Sequence, residues 1–269
     1  MCDVESPLRS ARPAIIRFVK IRRRPIATGL HRWSLERLGY GNGDPVTNGE
    51  FRLLDELPPA PVVFDVGAHH GDYAAAVLER RPNARVHCFE PSANTFDVLA
   101  ARLDGRASLH RVALADRAGA RTLYGDRVGS PMASLFHRDL AWLELATDLE
   151  EEVQTQTLDG VCAAEGVDEI DLLKIDAEGA EYLVLLGAQR MLGERRIGRV
   201  MFEYGGTALD SHFFLRDFYR LLGGFTLFRV LPDGVLPLGP YGVHLELAEY
   251  ANYVAVCLPT PPLDTGATS

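Results

Sequence analysis

Apolar runs alternate with amphipathic stretches through most of the chain, and this alternation predicts its secondary structure. The apolar runs predict strands at residues 62–66, 85–89, 107–114, 170–175, 198–204, 225–231 and 252–258. Stretches with apolar residues three and four positions apart predict helices at 71–80, 93–103, 180–192 and near 211–222. The fold class expected from this order is α/β, with a doubly wound, mostly parallel, seven-stranded sheet of Rossmann-like architecture.

The last strand of the sheet is expected to be antiparallel. The last two predicted strands are joined through LPDGVLPLG, which leaves no room for the crossover helix that a parallel return requires. RTLYG and VQTQTL, at 121–125 and 153–158, predict two further short strands.

We expect one domain, large enough to be a catalytic domain, with one segment on each side of it. Residues 1–50 predict a basic helical extension that ends in a Gly-rich linker, residues 51–258 predict the domain, and residues 259–269 predict a disordered tail. The stretch near 125–152 does not fit the alternation of strands and helices, and is interpreted as an insertion that acts as a lid, with an oligomer contact as the alternative. A homo-oligomer is compatible with the sequence.

The basic residues before residue 25 alternate with apolar ones. This pattern favours a solvated helix packed on the edge of the domain over an amphipathic helix that makes a weak contact with a membrane surface. The sequence contains neither an apolar run near the roughly 18 residues of a membrane span nor a signal-peptide core. The four cysteines show no metal or disulfide spacing, so a cytoplasmic location is expected.

The acidic balance of the chain narrows the class of substrate. With a net charge of −9 and a pI near 5.4, the chain lacks the basic surface of a nucleic-acid enzyme. No nucleic-acid partner is expected, and a small-molecule or uncharged glycan acceptor fits better.

The segment VVFDVGAHHG predicts a nucleoside-binding turn. Gly67 and Gly71 follow an apolar strand, and Glu90 ends the next strand, where a carboxylate can bind the hydroxyls of a ribose. An acid at Asp65 would repel a pyrophosphate but attract the ammonium of a methionine group, which favours S-adenosylmethionine over a dinucleotide. Without its flanking strands, the glycine turn would be equally compatible with an ordinary strand-to-helix bend.

Four predicted strands end in an acid: Asp65, Glu90, Asp176 and Glu203. Ligands of open α/β sheets lie beyond these strand ends, so the acids are candidate site residues, although any one of them could simply cap a helix. Lys174 is one of only two lysines among 28 basic residues. A lysine in a strand that leads into the site indicates a need for a compact ammonium, either in catalysis or in a buried ion pair.

The motifs FDVGAHHG, CFEP, VALAD, MASL, TLD, LLKIDAEGAE and MFEY, in this order, resemble the FkbM family of S-adenosylmethionine-dependent methyltransferases. The resemblance covers residues 60–258 and implies the class I methyltransferase fold. It implies that the methionine and ribose end of the cofactor contacts Asp65, Gly67, Ala68 and Gly71, that the ribose hydroxyls contact Glu90, and that the adenine contacts Ala113, Leu114 and Asp116. Pro91 and His69 are placed in the cofactor site as well, although His69 stands where the family usually has Asn.

The resemblance also implies transfer of a methyl group to a hydroxyl of a sugar, secondary metabolite, glycolipid or surface glycan. Such an alcohol needs a base or a metal near the sulfonium. We expect Asp176 or Glu203 to be the base, with Lys174 adjusting their charge, or the two acids to bind Mg²⁺. A nucleotide-dependent oxidoreductase and a non-catalytic cofactor-binding module of the same fold are the alternatives.

Overall fold

The structure, a computed structural model, describes residues 25–257. The predictions for the basic segment before residue 25 and for the tail 259–269 therefore lie outside the described residues. The helices are α1 (Pro25–Arg37), α2 (Glu50–Leu53), α3 (Asp72–Arg80), α4 (Ala93–Leu103), α5 (Leu158–Glu165), α6 (Glu181–Leu186), α7 (Gln189–Gly193), α8 (Thr207–Ser211) and α9 (Leu215–Leu221). The strands are β1 (Val62–Val66), β2 (Arg85–Phe89), β3 (Ser108–His110), β4 (Ala113–Leu114), β5 (Gly119–Gly125), β6 (Leu149–Gln156), β7 (Ile170–Ile175), β8 (Ile197–Tyr204), β9 (Phe225–Leu231), β10 (Gly234–Pro237) and β11 (Ala251–Cys257). No described helix has the length and apolar character that crossing a bilayer requires.

The main sheet confirms the predicted fold class. Its strand order is β10-β9-β11-β8-β7-β1-β2-β3, and the strands from β8 to β3 are parallel. β11 runs antiparallel to both β8 and β9, as the short connection between β9 and β11 predicted. The sheet has eight strands rather than seven, because a turn at Pro232 and Asp233 folds part of that connection back as β10, antiparallel to β9.

A second, three-stranded sheet has the order β4-β6-β5. The run 107–114, predicted as one strand, divides at Arg111: β3 joins the main sheet, whereas β4 pairs with β6. β5 and β6 confirm the two extra strands, but β6 begins at Leu149, so the last residues of the predicted insertion belong to a strand. The remainder, residues 126–148, is called here the β5–β6 loop, and it contains one 3₁₀ turn at Ala141–Leu143.

Two predicted helices differ in extent from the helices of the structure. The segment 180–192 forms α6 and α7, which separate at Gly187, where a Cβ would lie 2.2 Å from the Ala115 carbonyl oxygen. The helix predicted near 211–222 corresponds to α9, and α8, which was not predicted, precedes it and ends at His212 in a left-handed conformation with φ of 60°. These breaks depend on tertiary contacts and backbone geometry, to which apolar periodicity is insensitive.

Helices cover both faces of the main sheet. Phe64 of β1 packs in the cluster formed with α5, α6, α7 and α9, whereas Val63 packs with α2, α3 and α4. All five residues of β1 are buried, as expected for a central parallel strand covered on both faces. Because side chains alternate along a strand, Asp65 points to the same face as Val63, toward α3.

Residues 39–50, predicted as a linker, pack against the domain. Tyr40 is buried, and its ring lies 4.0 Å from the Arg229 guanidinium carbon in β9. A Cβ at Gly49 would lie 2.1 Å from the Leu231 carbonyl oxygen. Asn252 of β11 donates a hydrogen bond to the buried Glu50 carboxylate at 2.5 Å. The packed unit therefore begins before residue 51.

Candidate active site

The turn between β1 and α3 joins the carboxyl ends of three strands. The backbone amides of Gly67 and Ala68 both donate to the carbonyl of Phe89, at 3.0 Å. Gly67 has φ of 77°, and a Cβ there would lie 1.8 Å from the Asp176 carbonyl oxygen after β7. Its lack of a side chain is therefore required by the crossing of two loops, whether or not a ligand is present.

A small enclosed space, the inner cavity, lies beyond the ends of β1, β2 and β7. Its lining includes Gly67, His69, Glu90, Pro91, Ala113, Leu114 and Asp176, all predicted as site residues. The β5–β6 loop closes it with Ser130, Pro131, Ala133 and Leu135. The structure thus brings together most of the predicted cofactor contacts around one cavity.

Glu90 lies in the wall of the inner cavity and is held by the backbone. Its two oxygens accept hydrogen bonds from the amides of His69, at 3.1 Å, and Ser92, at 2.9 Å. Burial raises the pKa of Glu90 to about 7, against the lowering effect of these two bonds. Each oxygen keeps a lone pair for a further donor, so the carboxylate fits the vicinal hydroxyls of a ribose.

His69 joins the turn to the β5–β6 loop. Its φ is 47°, and its Nε2 lies 3.5 Å from the carbonyl oxygen of Gly129. Burial, and secondly the neighbouring His70, lower the pKa of His69. Its backbone amide donates to Glu90, so His69 supports the predicted cofactor site through its main chain rather than through its imidazole.

Four predicted cofactor residues lie outside the inner cavity: Asp65, which is described below, and Ala68, Gly71 and Asp116. Asp116 pairs with Arg121 of β5 instead of lining it. Gly71, with φ of 80°, precedes α3, and a Cβ there would lie 2.7 Å from Leu99 of α4, so this glycine serves helix packing. Ala68 lines a neighbouring cleft that also contains Lys174.

Asp65 is fully buried and faces Lys174. Neither Asp65 oxygen has a hydrogen-bond partner among the described residues, and Oδ1 lies 3.6 Å from Nζ of Lys174. Burial raises the pKa of Asp65, and the ammonium of Lys174 opposes that rise. We predicted that Asp65 meets the ammonium of a methionine group, but in this structure the nearby cation is Lys174.

Lys174 is an ammonium enclosed by acids. Its Nζ donates to Oδ2 of Asp176 at 3.1 Å and lies 5.1 Å from the centroid of the Tyr73 ring. Burial lowers the pKa of Lys174, but the carboxylates of Asp176, Asp65 and Glu50 outweigh burial and bring the pKa well above its usual value. Lys174 therefore stays charged and cannot act as a base at neutral pH.

Three carboxyl groups, Asp176, Glu178 and Glu203, form the acid cluster, and one oxygen of each lies within 4.8 Å of the others. Burial and then the charge of Asp176 raise the pKa of Glu178 to about 7, while Arg138 opposes the rise. Burial, followed by Asp176 and Glu178, raises the pKa of Glu203 well above its usual value. Burial and the neighbouring carboxylates thus both favour the protonated form of Glu203.

A larger opening, the outer cleft, lies on the other side of the acid cluster. It has a volume of about 560 Å³ and is lined by all three acids and by Trp142, Leu143, Met132, Thr207, Ala248 and Tyr250. The outer cleft and the inner cavity share Gly67, His69, Pro131, Asp176 and Glu178. A group bound in one can therefore reach a group bound in the other.

Sequence reasoning missed four residues that shape this site. Glu178 and Arg138 form an ion pair across 40 residues, and Glu50 comes from the segment predicted as a linker. Glu181 accepts the amides of Ala177 and Gly179, at 2.9 and 3.1 Å, and so fixes the loop after β7. The sequence indicated two of these four residues, Glu178 and Glu181, through the acidic run DAEGAE that contains them. It gave no indication of Glu50 or Arg138.

A family model of the methyltransferase FkbM domain matches residues 65–224, more than half of the chain. The chain belongs to this family. It is therefore a methyltransferase that uses S-adenosylmethionine, and the resemblance drawn from the sequence motifs is confirmed. Neither the oxidoreductase nor the non-catalytic alternative is favoured.

Relatives of this FkbM methyltransferase are similar over differing shares of their length. The 2-O-methyltransferase NoeI of Sinorhizobium fredii (strain NBRC 101917 / NGR234) is 32% identical over 66% of this chain and 77% of its own. The 31-O-demethyl-FK506 methyltransferase FkbM of Streptomyces tacrolimicus is 34% identical over 50% of this chain and 62% of its own, so the chain spans less than two thirds of that relative. A crystal structure of methyltransferase FkbM from Methylobacillus flagellatus KT is 14% identical, with a TM-score of 0.46 over 73% of this chain and 44% of that one.

Proposed function

We propose that this methyltransferase acts on a hydroxyl oxygen of a sugar or a comparably hydroxylated small molecule, bound in the outer cleft. The observation that carries the proposal is the shared wall between the inner cavity and the outer cleft, which contains Asp176 and Glu178. S-adenosylmethionine supplies an electrophilic methyl group on a positively charged sulfur. A carboxylate at the shared wall lies where an acceptor hydroxyl must lose its proton.

The chemistry of the outer cleft supports a hydroxylated acceptor. The Trp142 side chain is 77% exposed and offers a flat apolar face, while the acid cluster offers oxygen atoms to hydroxyl groups. The names of two relatives specify transfer to an oxygen, as a 2-O-methyltransferase and a 31-O-demethyl-FK506 methyltransferase.

Asp176 is the better candidate for the base. Its side chain is 41% exposed, it borders both spaces, and Lys174 holds its Oδ2 by a hydrogen bond. Burial and its acidic neighbours raise the pKa of Glu203, which favours the protonated form that can donate a hydrogen bond. We assign Asp176 as the proton acceptor, Lys174 as the residue that orients it, and Glu203 as a hydrogen-bonding group rather than a base.

The donor set of the acid cluster does not fit a resident Mg²⁺. Lys174 already binds Asp176, and Arg138 already binds Glu178, so two of the three carboxylates have cationic partners. A divalent ion placed between them would repel both cations at close range. We therefore derive no step through a metal.

The test compares Asp176→Asn with Glu203→Gln in a methyl-transfer assay. Labelled S-adenosylmethionine would be offered with a panel of methyl glycosides and cyclic diols, with and without EDTA. We expect Asp176→Asn to lower kcat about 100-fold or more, as loss of a general base does, and to leave binding of S-adenosylhomocysteine nearly unchanged.

Glu203→Gln is the matched control, because burial and the neighbouring acids favour the protonated form of Glu203, which an amide of the same size imitates. We expect its kcat to stay within a few-fold of the unmodified protein. Equal losses in the two variants would contradict the assignment of the base, and loss of turnover with EDTA would contradict the metal-free chemistry.

Four further expectations from the sequence stay predictions: a glycolipid acceptor, weak contact with a membrane surface, a homo-oligomer and a cytoplasmic location.

A further inference from the structure

The β5–β6 loop is fastened to the loop that follows β7. Ser134 Oγ donates to the carbonyl oxygen of Glu178 at 2.7 Å, and Nη1 of Arg138 pairs with the Glu178 carboxylate. Glu178 itself has φ of 51°, in the left-handed region, so its conformation depends on contacts such as these. Two separate bonds therefore tie one residue of the acid cluster to the loop that covers the inner cavity.

Arg138 differs from the other arginine of the same loop. Its side chain is only 8% exposed, and its Nε lies 3.9 Å from Asp210 of α8, in addition to the Glu178 pair. Arg127 pairs with the adjacent Asp126, but its side chain is 62% exposed. A buried arginine without its partners would be strongly unfavourable, whereas an arginine that is mostly exposed gains little from its ion pair.

The inner cavity is too small to hold a whole cofactor by itself. Its volume is about 70 Å³, below the roughly 300 Å³ at which small-molecule sites begin. The walls from β1, β2 and β7 belong to the centre of the eight-stranded sheet. The β5–β6 loop, with one 3₁₀ turn and a single bridge from Ser134 to Tyr124, is the wall that can yield.

We propose that Arg138 is a positioning residue that binds Glu178 and thereby holds the β5–β6 loop over the inner cavity, so that the cofactor passes only when this pair opens. The inference rests on the proposed function for the identity of the ligand. Arg138 also lines the outer cleft, but the role proposed for it here does not depend on contact with the acceptor. It acts through Glu178, which borders both the inner cavity and the outer cleft.

Hydrogen exchange of the full chain without ligand tests the fastening directly. We expect Arg138→Gln to raise the exchange of amides in residues 130–147 about 10-fold or more, while β1, β7 and β8 keep their protection. Arg127→Gln, in the same loop, is the matched control and should exchange as the unmodified protein does. Unchanged exchange in Arg138→Gln would overturn the proposal.

Binding kinetics supply a second readout that a purely structural role would not reproduce. Trp33→Phe leaves Trp142, in the β5–β6 loop, as the single tryptophan. In this background, we expect Arg138→Gln to raise both the association and the dissociation rate of S-adenosylhomocysteine about 10-fold, with a smaller change in Kd. Arg138→Lys should give intermediate rates, because it keeps the charge but loses the fork that reaches two acids. A slower association with a weaker Kd would indicate a damaged site and would overturn the proposal.

Ser134→Ala is the second variant, in case Arg138→Gln does not fold. It removes the Ser134 bond to the Glu178 carbonyl oxygen and should raise exchange in the same residues to a smaller degree. Exchange at the rate of the unmodified protein would contradict the fastening. If the unmodified protein bound no S-adenosylhomocysteine, the proposed function would fail, while the exchange data would still decide the role of Arg138.

Discussion

Glu90 combines a raised pKa with two fixed backbone donors, and this combination predicts proton release on cofactor binding. With a pKa near 7, about half of the carboxyl groups carry a proton at pH 7. Ribose hydroxyls donate to the ionised form and so lower its pKa. Titration of S-adenosylhomocysteine at pH 7, in buffers of different ionisation enthalpy, should therefore show release of about half a proton.

Glu90→Gln should abolish this proton release and weaken binding about 10-fold or more, because the amide has one acceptor oxygen for two backbone donors and the ribose. Asp116→Asn is the control. Asp116 was predicted at the adenine edge, yet it pairs with Arg121 outside the inner cavity. Equal weakening in both variants would mean that Asp116 takes part in the site and that the placement of Glu90 is not special.

Single residues at the strand ends were predictable because their positions follow from the alternation of elements. Glu90 and Asp176 lie where the pattern put them, at the ends of β2 and β7. The partner of a residue was less predictable: Asp65 faces Lys174, and Glu178 faces Arg138. The first pair depends on the register of β1 against β7, and the second on the path of a loop 40 residues away, neither of which local sequence encodes.

Gly67, in the turn between β1 and α3, is the glycine at which an added Cβ would make the shortest contact. Gly67→Ala should destabilise the fold by roughly 3 kcal/mol or more, since a Cβ 1.8 Å from the Asp176 carbonyl oxygen must displace backbone. Gly105→Ala is the matched control, because Gly105 has a similar φ of 74° but nothing within 4 Å of its Cβ. It should lose only about 1–2 kcal/mol.

Urea unfolding measures both glycine variants. Similar losses in the two would show that left-handed geometry alone, rather than the crossing of the two loops, explains the need for Gly67. Cofactor binding by Gly105→Ala should be unchanged, because Gly105 lies in the turn after α4, away from the inner cavity.

The elements themselves were largely readable from apolar periodicity, and the exceptions have a common cause. The run 107–114 is continuous in sequence, but Ala113 and Leu114 pair with Thr155 and Gln156 in another sheet. The linker predicted from GYGNGDPVTNG is rich in turn residues, yet Tyr40 and Glu50 insert their side chains among β9 and β11. In both cases a long-range partner overrides a correct local signal.

The protein contains several buried acids whose pKa values are raised, and these acids determine how its stability depends on pH. Burial raises the pKa of Glu90, Glu178 and Glu181 to about 7 each. The folded state therefore binds more protons than the unfolded state between pH 4.5 and 7. The stability that these groups contribute to the fold is lost as the pH rises through 7. Burial lowers the pKa of His69 and His87, so their contribution is lost as pH falls below 6.5.

We expect the melting temperature to fall as pH increases from 6.5 to 8. Glu181→Gln should reduce this slope and stabilise the protein by about 1–3 kcal/mol at pH 8. The substitution keeps the acceptor, because one oxygen of Glu181 takes both the Ala177 and the Gly179 amides. A melting temperature that rises over this pH interval, or an unchanged slope in Glu181→Gln, would contradict the assignment of these buried acids.

The antiparallel register of β5 and β6 sets Gly125 directly opposite Leu149. The twenty-three residues between them thus leave and rejoin the scaffold at one point, like the loop of a hairpin. Because the cost of closing a loop grows only slowly with its length, this stretch can lengthen, shorten or be exchanged between family members while the eight-stranded sheet stays in place. Evolution can therefore change the cover of the site at this one junction without rebuilding the eight-stranded sheet.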